Sequence, residues 1–389
     1  MPIGRTVFAQ LMDLIPRRAF ERCVARYPSQ RRLRTFTCYD QFLCLAFAQL
    51  TYRESLRDIE TCLRALQAKL YHAGLRGRVS RSTLADANET RDWRIYGDFA
   101  QLLIARARHL YRNEPFAVEV AQTAYAFDAT TIDLCLALFP WAHFRRAKAA
   151  VKLHTLLDLH GPIPTFVAIT DGKAADVTLL DALSFEPGAF YIFDRGYTDF
   201  ARLARITEAL AFFVIRGKRG LAYVRRASRP VDTSTGLRSD QPIVLCGPKT
   251  ATLYSLPLRR ITYVDPATGK RFVFLTNNFA LPPLQIAQLY RCRWQIELFF
   301  KWIKQHLRIK AFYGTSVNAV KTQVWTAISV YVLVAILKKE LRLEHSLYEL
   351  LQILSVTLFE RVPIHHALAR LATQNDGACS GNQLPLFDL

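Results

Sequence analysis

The 389-residue chain is 51% hydrophobic and carries a formal net charge of +20, with a sequence pI of about 9.8. So much apolar material excludes a disordered chain and is enough for two or three domains, each with its own core. The charge excess favours a polyanionic partner. Nucleic acid is the first expectation, and a ribosomal-type basic surface or binding to a membrane surface are the alternatives.

Residues 1–115 are predicted to form an all-helical domain, in which arginine greatly outnumbers lysine. Two glycines near residue 75 break one helix, and Ser80 or Ser82 then caps the next. A basic turn that opens a polar helix is typical of helix-turn-helix DNA binding, and a surface hairpin with solvated arginines is the alternative. The arginines at this turn are Arg76, Arg78 and Arg81.

From about residue 118 the pattern changes to β-branched and aromatic runs, which predict strands with two helices between the later ones. The order β-β-β-α-β-α-β, with one more helix to follow, matches a ribonuclease-H-like α/β domain with a mixed five-stranded sheet. We place this domain at residues 116–316. The predicted strands are 118–138, 150–158, 163–169, 190–194 and 212–216, and the helices are 176–183 and 200–210.

A turn-rich stretch at about residues 217–280 delays the last helix and is predicted to be a β-rich insertion. Residues 265–269 form a hairpin-type turn within it. Residues 317–372 are predicted to be helical again, and residues 373–389 to be a flexible tail. The short β runs of the insertion are 243–245, 252–256, 260–264 and 272–276.

Two aspartates lie where the predicted sheet would bury a carboxylate. Asp128 is in the middle of an uncharged strand, and because an unpaired buried carboxylate is costly, such a residue is usually a metal ligand or paired with a base. Asp194 ends an apolar strand, where ligands collect in such sheets, and a helix N-cap is its alternative role. Other acids are better explained by the opposite strand face, by turns or by caps: Asp133, Asp158, Asp171, Asp176 and Asp199.

Residues 290–304 are predicted to be one helix, because they contain no Pro or Gly and their apolar residues recur at helical spacing. Tyr290, Arg293, Glu297 and Lys304 fall near one face of it. A single carboxylate flanked by cations suits a phosphodiester held against a metal ion, and an ordinary salt bridge is the alternative.

The spacing Tyr-(2)-Arg-(3)-Glu-(6)-Lys in this helix resembles the signature of bacterial insertion-sequence transposases of the IS-four family, which belong to the Asp-Asp-Glu class. The segment Asp-Ala-Thr-Thr-Ile that begins at Asp128 is similar to the first catalytic segment of that family. The segment Asp-Arg-Gly-Tyr that begins at Asp194 is similar to the second. The three motifs occur in the family's order, and the resemblance covers about residues 120–310.

The resemblance implies an enzyme that cuts DNA at transposon ends and joins them to target DNA, using two Mg²⁺ (or Mn²⁺) ions per active site. Asp128, Asp194 and Glu297 would be its catalytic residues and metal ligands. In relatives with this signature a DNA hairpin forms as an intermediate. The implied partners are double-stranded DNA, as terminal inverted repeats and target, and a second copy of the chain bound on DNA. The residues expected to contact DNA are Tyr290, Arg293, Lys304, Arg195, Arg76, Arg78 and Arg81.

Two other functions remain open at this point. One is a metal-dependent nuclease of the same fold that cleaves without joining, and the other is a domesticated DNA-binding protein that has lost turnover. Trp294 and Trp302 also have two interpretations, since either could stack on an extruded base or pack in the core.

The C-terminal tail carries a short apolar motif after a polar stretch. It resembles the peptide by which bacterial proteins dock on the replicative sliding clamp, and packing back onto the protein is the alternative. The motif residues are Gln383, Leu384, Leu386 and Phe387.

The cysteines and the apolar runs favour a cytoplasmic, nucleoid-associated protein without a membrane segment. The chain has eight cysteines, no pair of which has the C-x-x-C spacing of many zinc sites, and most lie in apolar contexts typical of buried free thiols. The longest apolar run, residues 324–337, is shorter than the roughly 20 residues that a membrane span needs, and fits a buried core helix.

Overall fold

The computed structural model describes residues 4–27, 35–72, 74–75, 77–114, 118, 122–145, 148–306 and 312–369. These residues form two compact units, each built from separated stretches of the chain. The helical unit contains the described residues up to Arg112, residues 132–151 and the described residues from Phe300 onward. The sheet unit contains the described residues of 113–131 and residues 152–299.

The secondary structure follows the predicted change from helices to strands and back to helices. The helices are α1 (Val7–Met12), α2 (Arg17–Arg26), α3 (Cys38–Leu50), α4 (Leu56–Ala65), α5 (Gln67–Leu70), α6 (Arg81–Thr90), α7 (Arg94–Tyr111), α8 (Phe200–Glu208), α9 (Pro248–Leu253), α10 (Pro283–Cys292), α11 (Trp294–Lys301), α12 (Val317–Glu340), α13 (Leu347–Thr357) and α14 (Ile364–Ala369). The strands are β1 (Ala124–Leu134), β2 (His143–Arg145), β3 (Lys148–Asp158), β4 (Ile163–Asp171), β5 (Phe190–Phe193), β6 (Phe212–Arg216), β7 (Tyr223–Arg225), β8 (Leu237–Leu245), β9 (Leu258–Val264) and β10 (Arg271–Thr276).

Helix α12 lies at the centre of the helical unit. Within the described residues it is the one helix long and apolar enough to cross a membrane, with a mean hydropathy of 1.6 over its apolar window. Inside the structure 94% of that window is buried, as expected for a helix that is apolar on all sides and surrounded by other helices. The buried core helix predicted at residues 324–337 is therefore present, but it is longer than its apolar run.

Capping residues set the starts of the surrounding helices. Ser80 caps α6 as predicted, because its Oγ accepts a hydrogen bond from the backbone N–H of Thr83 at 3.1 Å. Thr37 and Asp40 form a reciprocal capping box at the start of α3. Each cap satisfies backbone donors that the first turn of a helix leaves open.

The sheet unit contains one large mixed sheet. Its strands lie in the order β3-β1-β5-β6-β10-β9-β8-β7, and β4 also pairs with β3. Strand β5 is parallel to both neighbours, with Phe193 opposite Phe127 of β1 and Ile215 of β6. Strands β6, β10, β9, β8 and β7 follow one another in antiparallel pairs. Strand β2 pairs with the start of β3, where His143 lies opposite Ala149.

The insertion differs from its prediction in two ways. Its strands β7–β10 extend the central sheet, so the predicted five strands lie within a ten-stranded sheet as far as the structure describes the chain. Residues 252–256, predicted as a β run, instead contain the end of α9, because Pro248 occupies the first turn of a helix and sets its φ angle. The predicted turn at 265–269 is present between β9 and β10, and Gly269 supplies its positive φ of 66°.

The helix predicted over residues 290–304 is not one continuous α-helix. Helix α10 ends at Cys292, α11 begins at Trp294, and residues Trp302–His306 form a π-helical turn. At Arg293 the backbone hydrogen bonds span three residues instead of four, since its N–H reaches the carbonyl of Tyr290 at 3.1 Å. The chain stays right-handed there but winds more tightly, as in a 3₁₀ turn.

Candidate active site

Strand register places Asp128 and Asp194 at the same level of the sheet, where β5 ends. Phe127 of β1 lies directly opposite Phe193 of β5, and the two strands are parallel, so the next residue of each chain segment is an aspartate at the same level. Neighbouring strands are about 4.8 Å apart, so Asp194, which follows the carboxyl end of β5, lies beside Asp128 in the middle of β1, a strand that continues to Leu134.

Buried aromatic rings support this edge. Phe127 and Phe193 are fully buried, and Tyr197 packs edge-on against Phe127 with ring centroids 5.3 Å apart. Tyr197 closes the 3₁₀ turn Arg195–Tyr197 that follows β5, so its packing fixes the path of the chain just after Asp194. Full burial of a ring of this size contributes about 1.5–3 kcal/mol, which is enough to hold the turn in place.

Asp128 is partly buried and accepts hydrogen bonds from three donors. The backbone N–H of Ala129 donates at 2.8 Å, Arg293 donates at 2.9 Å, and the hydroxyl of Tyr197 lies at a longer 3.4 Å. Burial raises the pKa of the Asp128 carboxyl, and the negative charges of Asp194 and Glu297 raise it further, while the Ala129 N–H and Arg293 oppose that rise.

Arg293 joins the first strand to the last catalytic helix. One guanidinium nitrogen donates to Asp128 at 2.9 Å, and the other terminal nitrogen donates to Glu297 at 2.5 Å. The Arg293 side chain is only 16% exposed, and its Nε is buried without a hydrogen-bond partner. The tight turn at Arg293 thus places its guanidinium between Asp128 and Glu297. The salt bridge expected as the alternative role of Glu297 is therefore present, and Asp128 shares the same cation.

Tyr290 connects the same helix to the second aspartate. Its hydroxyl donates to Asp194 at 3.1 Å, and its ring packs against Phe274 of β10 with centroids 4.8 Å apart. Burial raises the pKa of the Tyr290 hydroxyl to about 12, so this group stays a proton donor at neutral pH. Asp194 makes no side-chain capping bond to the turn that follows it, which argues against the alternative N-cap role.

The three acids fall into two hydrogen-bonded groups, one in which Arg293 joins Asp128 to Glu297 and one in which Tyr290 bonds to Asp194, and they do not form a compact ligand cluster. The two groups together are called the acid network below. In the part of the chain that the structure describes, no three His, Cys, Asp or Glu side chains lie close enough to hold a metal ion. The donor chemistry nevertheless fits Mg²⁺ or Mn²⁺, which prefer carboxylate oxygens. Two of the carboxylates, Asp128 and Glu297, share the single guanidinium of Arg293, so this group is short of positive charge. An ionised carboxylate offers about four lone-pair sites, and the donors to Asp128 leave acceptor capacity.

The remaining predicted DNA contacts lie apart from this network or outside the described residues. Arg195 is exposed beside Asp194, and Arg78 and Arg81 are exposed at the start of α6. Lys304 is half-buried in the π-helical turn and belongs to the helical unit. The positions outside the described residues are Arg76, Gln383, Leu384, Leu386 and Phe387.

The competing acids have local explanations, as predicted. Asp158 and Asp171 accept backbone N–H groups in turns, and Asp199 caps α8 through the N–H of Arg202 at 3.1 Å. Asp176 instead forms an ion pair with Lys152 at 2.9 Å. Tyr197 is the site residue that sequence reasoning missed, although its place in the Asp-Arg-Gly-Tyr motif was a signal.

The two tryptophans near Glu297 differ in exposure. Trp302 is 7% exposed and meets the ring of Tyr331 edge-on at 4.7 Å, so it is a core residue. Trp294 is 39% exposed on α11, and Leu298 one turn later is 47% exposed. Only Trp294 of the pair therefore presents a ring surface that a base could reach.

Comparison with known proteins gives matches over most of the chain. Residues 121–333 match the family described as a transposase DDE domain, and residues 3–76 match a domain of unknown function. A putative transposase of Sinorhizobium fredii is 35% identical over 281 residues, which cover 72% of this chain and 77% of that protein. A probable insertion-sequence transposase of Geobacillus stearothermophilus is 31% identical over 53% of this chain and 54% of that protein.

More distant similarity extends further along the chain. A putative insertion-sequence transposase of Synechocystis is 24% identical over 82% of this chain and 88% of that protein. The structure of a piggyBac transposase synaptic complex with hairpin DNA aligns with 94% of this chain and 80% of that one, at 11% identity and a TM-score of 0.44. That score is too low to carry an argument about the site.

Proposed function

The chain belongs to the family of transposases with a DDE domain, and from that premise we propose that Asp128, Asp194 and Glu297 carry its DNA strand cleavage and strand transfer. As a member of this family it is a DNA transposase. The finer assignment rests on one observation, the hydrogen-bonded network in which Arg293 contacts Asp128 and Glu297 while Tyr290 contacts Asp194.

The acids of the network would hold two Mg²⁺ or Mn²⁺ ions, which when bound neutralise charge on the scissile phosphate and activate the attacking oxygen. Arg293 would also bind a phosphate oxygen held at the acids, a role supported by its contacts with Asp128 and Glu297 and by the match of its planar fork to phosphate geometry. Tyr290 orients Asp194 through its hydroxyl. Lys304 would contact a neighbouring phosphate as a point charge, and Arg195 would contact one through its planar guanidinium.

The reaction we propose has two steps on a ribonuclease-H-like core. Strand order β4-β3-β1-β5-β6 supports that core, since an early meander is followed by strands reached through helical crossovers. Water first cleaves the phosphodiester at a transposon end, and the liberated 3′-hydroxyl then attacks a second phosphate. We propose that this attack forms a DNA hairpin and that the two steps then repeat, because water must reopen the hairpin before the freed 3′-hydroxyl can attack the target DNA.

The proposed assembly is a homodimer on double-stranded DNA, in the cytoplasm and at the nucleoid. Exposed Arg78 and Arg81 at the start of α6 support DNA contact by the helical unit, because a helix start beside basic residues suits phosphate binding. The tail from Gln383 to Phe387 is proposed to dock on the sliding clamp. Equal recovery of the full chain and of a chain ending before Gln383 in a clamp pull-down would remove that idea.

Cleavage assays with matched variants test the proposal. Asp128→Asn, Asp194→Asn and Glu297→Gln should each abolish cleavage of DNA carrying the inverted repeats that flank the gene, and leave binding to that DNA largely intact. Asp133→Asn, at an exposed acid of the same strand, is the control and should cleave normally. Near-normal cleavage by any of the three variants would show that its residue is not catalytic. Cleavage without strand transfer by the unaltered protein would favour the nuclease alternative.

A further inference from the structure

A basic cavity of about 430 Å³ lies within the sheet unit, outside the acid network. It is bordered by the segment between β6 and β7 and by strands β9 and β10. No acidic side chain lines it, and its positively charged lining residues are Arg195, Arg216, Lys218, Arg219, Arg260 and Arg271.

These cations have no acidic partners to balance them. Among the ion pairs of the described residues, none joins any of the six to a carboxylate. Their side chains contact neutral groups: Lys218 donates to the carbonyl of Thr198 at 3.2 Å, and the Arg260 guanidinium lies 5.2 Å from the ring centre of Tyr223. Like charges gathered without counter-charge repel one another, so binding of an anion among them is favourable.

The cavity also has apolar lining residues, which favour a partly apolar anion over a bare phosphate. Leu221, Val273 and Leu275 line it together with Tyr223. A bare phosphate would leave these groups without a partner, and a cavity of this volume is in the range of sites for whole small ligands. A nucleotide unit of a DNA strand carries both the charge and the apolar sugar and base surface that the lining matches.

Contacts within the sheet unit connect the cavity to the acid network. Arg195 lines the cavity and directly follows Asp194 in the chain. Arg216 lies opposite Phe274 in the β6–β10 ladder, and the ring of Phe274 packs against Tyr290, whose hydroxyl donates to Asp194. A strand held at Asp194 therefore has the cavity beside it.

We propose that this cavity binds the nucleotides of a DNA strand that continue past the phosphate held at the acid network. The proposal rests on the proposed function, because it assumes that the acids act on DNA. It adds a second binding site, which grips one strand by its phosphates and sets how that strand leaves the reaction centre.

Charge removal with a matched control tests the binding site. Arg219→Gln with Arg271→Gln removes two exposed cations of the cavity, and Arg238→Gln with Lys249→Gln removes two exposed cations of the same unit outside it. The probe is a short labelled single-stranded oligonucleotide, titrated at salt concentrations from roughly 50 to 200 mM. Loss of two phosphate contacts should reduce the salt slope of log K by about 1.4 and weaken binding about tenfold at low salt, while the control pair stays within about twofold.

Two results would overturn the proposal. One is the same affinity and salt slope for the cavity pair and the control pair. The other is displacement of the oligonucleotide from the unaltered protein by inorganic pyrophosphate at concentrations comparable with the oligonucleotide's own Kd, which would identify a free polyphosphate as the occupant. Both readouts are binding measurements, so they separate this proposal from the catalytic one, which stands or falls by cleavage in the acid variants.

A crosslink locates the strand. Tyr223→p-benzoylphenylalanine places a photoreactive ring in the cavity, and in the presence of DNA with a transposon end it should crosslink to the cleaved strand next to the scissile phosphate. Crosslinks confined to distant duplex DNA would contradict the proposed path.

Discussion

Arg293 donates a hydrogen bond at 2.9 Å to Asp128, a residue 165 positions earlier in the chain. The same guanidinium reaches Glu297 one turn along its own helix. A single side chain thus fixes the distance between the first strand of the sheet and the helix that carries the third acid. The site depends on it for geometry as well as for charge.

Replacing Arg293 should therefore disable cleavage. We expect Arg293→Ala to lower the single-turnover cleavage rate by at least about 100-fold, the usual cost of removing one preorganised donor at a reaction centre. Arg293→Lys should recover part of the rate, because it keeps a charge but cannot donate to two acids at once. Arg291→Ala is the control, since Arg291 is exposed on the same helix. Equal rates for Arg293→Ala and Arg291→Ala would contradict the bridging role.

The variant Tyr290→Phe should separate two roles of Tyr290, the orientation of Asp194 by its hydroxyl and the packing of its ring against Phe274. The variant loses the hydroxyl that donates to Asp194 but keeps the ring that packs on Phe274. Cleavage should fall about 10- to 100-fold, as for other groups that orient a ligand, while the free energy of unfolding changes by no more than about 1 kcal/mol. Single-turnover kinetics and urea unfolding measure the two effects. A large loss of stability with unchanged cleavage would reverse the assignment.

The buried ion pair between Asp240 and Arg259 should make the insertion sensitive to the loss of either partner, because the remaining charge would be buried alone. Both side chains are at most 3% exposed, the two bonds are 2.7 and 2.8 Å long, and Arg259 also donates to the carbonyl of Leu281 just before α10. Removing one partner by Asp240→Ala or Arg259→Leu leaves a buried charge and should cost about 3–5 kcal/mol in urea unfolding. The double variant Asp240→Leu/Arg259→Met should be more stable than either single variant. If it is less stable than both, the pair is not the source of the loss.

The stability of the sheet unit should fall as the pH drops below about 6.5. Burial lowers the pKa of His154 from 6.5 to about 4, with Asp176 opposing that shift and Lys152 adding to it. The unfolded chain therefore binds a proton between these values and the folded chain does not, so stability rises with pH through this window. From pH 4.5 to pH 7 the gain from His154 is at most about 2.5 kcal/mol. Urea unfolding at both pH values should show a smaller difference in His154→Leu than in the unaltered protein, and an equal difference would exclude His154 as the cause.

The two tryptophans near Glu297 should respond differently to truncation. Trp302→Ala should destabilise the protein by about 3–5 kcal/mol, because Trp302 is buried against Tyr331. Trp294→Ala should change the unfolding free energy little and should slow a step in which a base leaves the stack, since stacking is worth about 1–3 kcal/mol. DNA that lacks a base at the cleavage site provides the control. On that substrate Trp294→Ala and the unaltered protein should cleave at similar rates, because there is no base to stack.

Local patterns were sufficient to predict the acids and the elements that carry them. Asp128 was identifiable because it interrupts an apolar strand, and Asp194 because it ends one. Their proximity in the fold depends on the register of β1 and β5. The pairing of residues more than 60 positions apart cannot be predicted from the local sequence around either strand. Tyr290 contacts Asp194 and Arg293 contacts Asp128 and Glu297, although a 3₁₀-like turn and not a straight helix aims Arg293. Lys304, predicted on the same helical face, lies in the π-helical turn beyond α11.

Two further features, the continuation of the central sheet by the insertion and the basic cavity, depend on long-range pairing and could not be predicted from the sequence. The strands of the insertion were mostly located, but their continuation of the central sheet follows from the β6–β10 ladder, in which Phe274 lies opposite Arg216. The basic cavity could not be predicted, because its cations come from separate segments between Arg195 and Arg271 that only the fold brings together. The hydrogen bond from Tyr197 to Asp128 likewise joins two segments that are distant in the sequence and that only the fold brings together.

The order of synthesis along the chain determines which truncated products contain all three acids. Both aspartates are synthesised long before α10 and α11, which supply Tyr290, Arg293 and Glu297. A polypeptide released early, by a frameshift or a broken messenger, can build strands β1 and β5 but lacks every group that joins them to a third acid. If the three acids act as proposed, truncated products of the gene would be unable to nick the host chromosome, and cutting would be reserved for chains translated past Glu297.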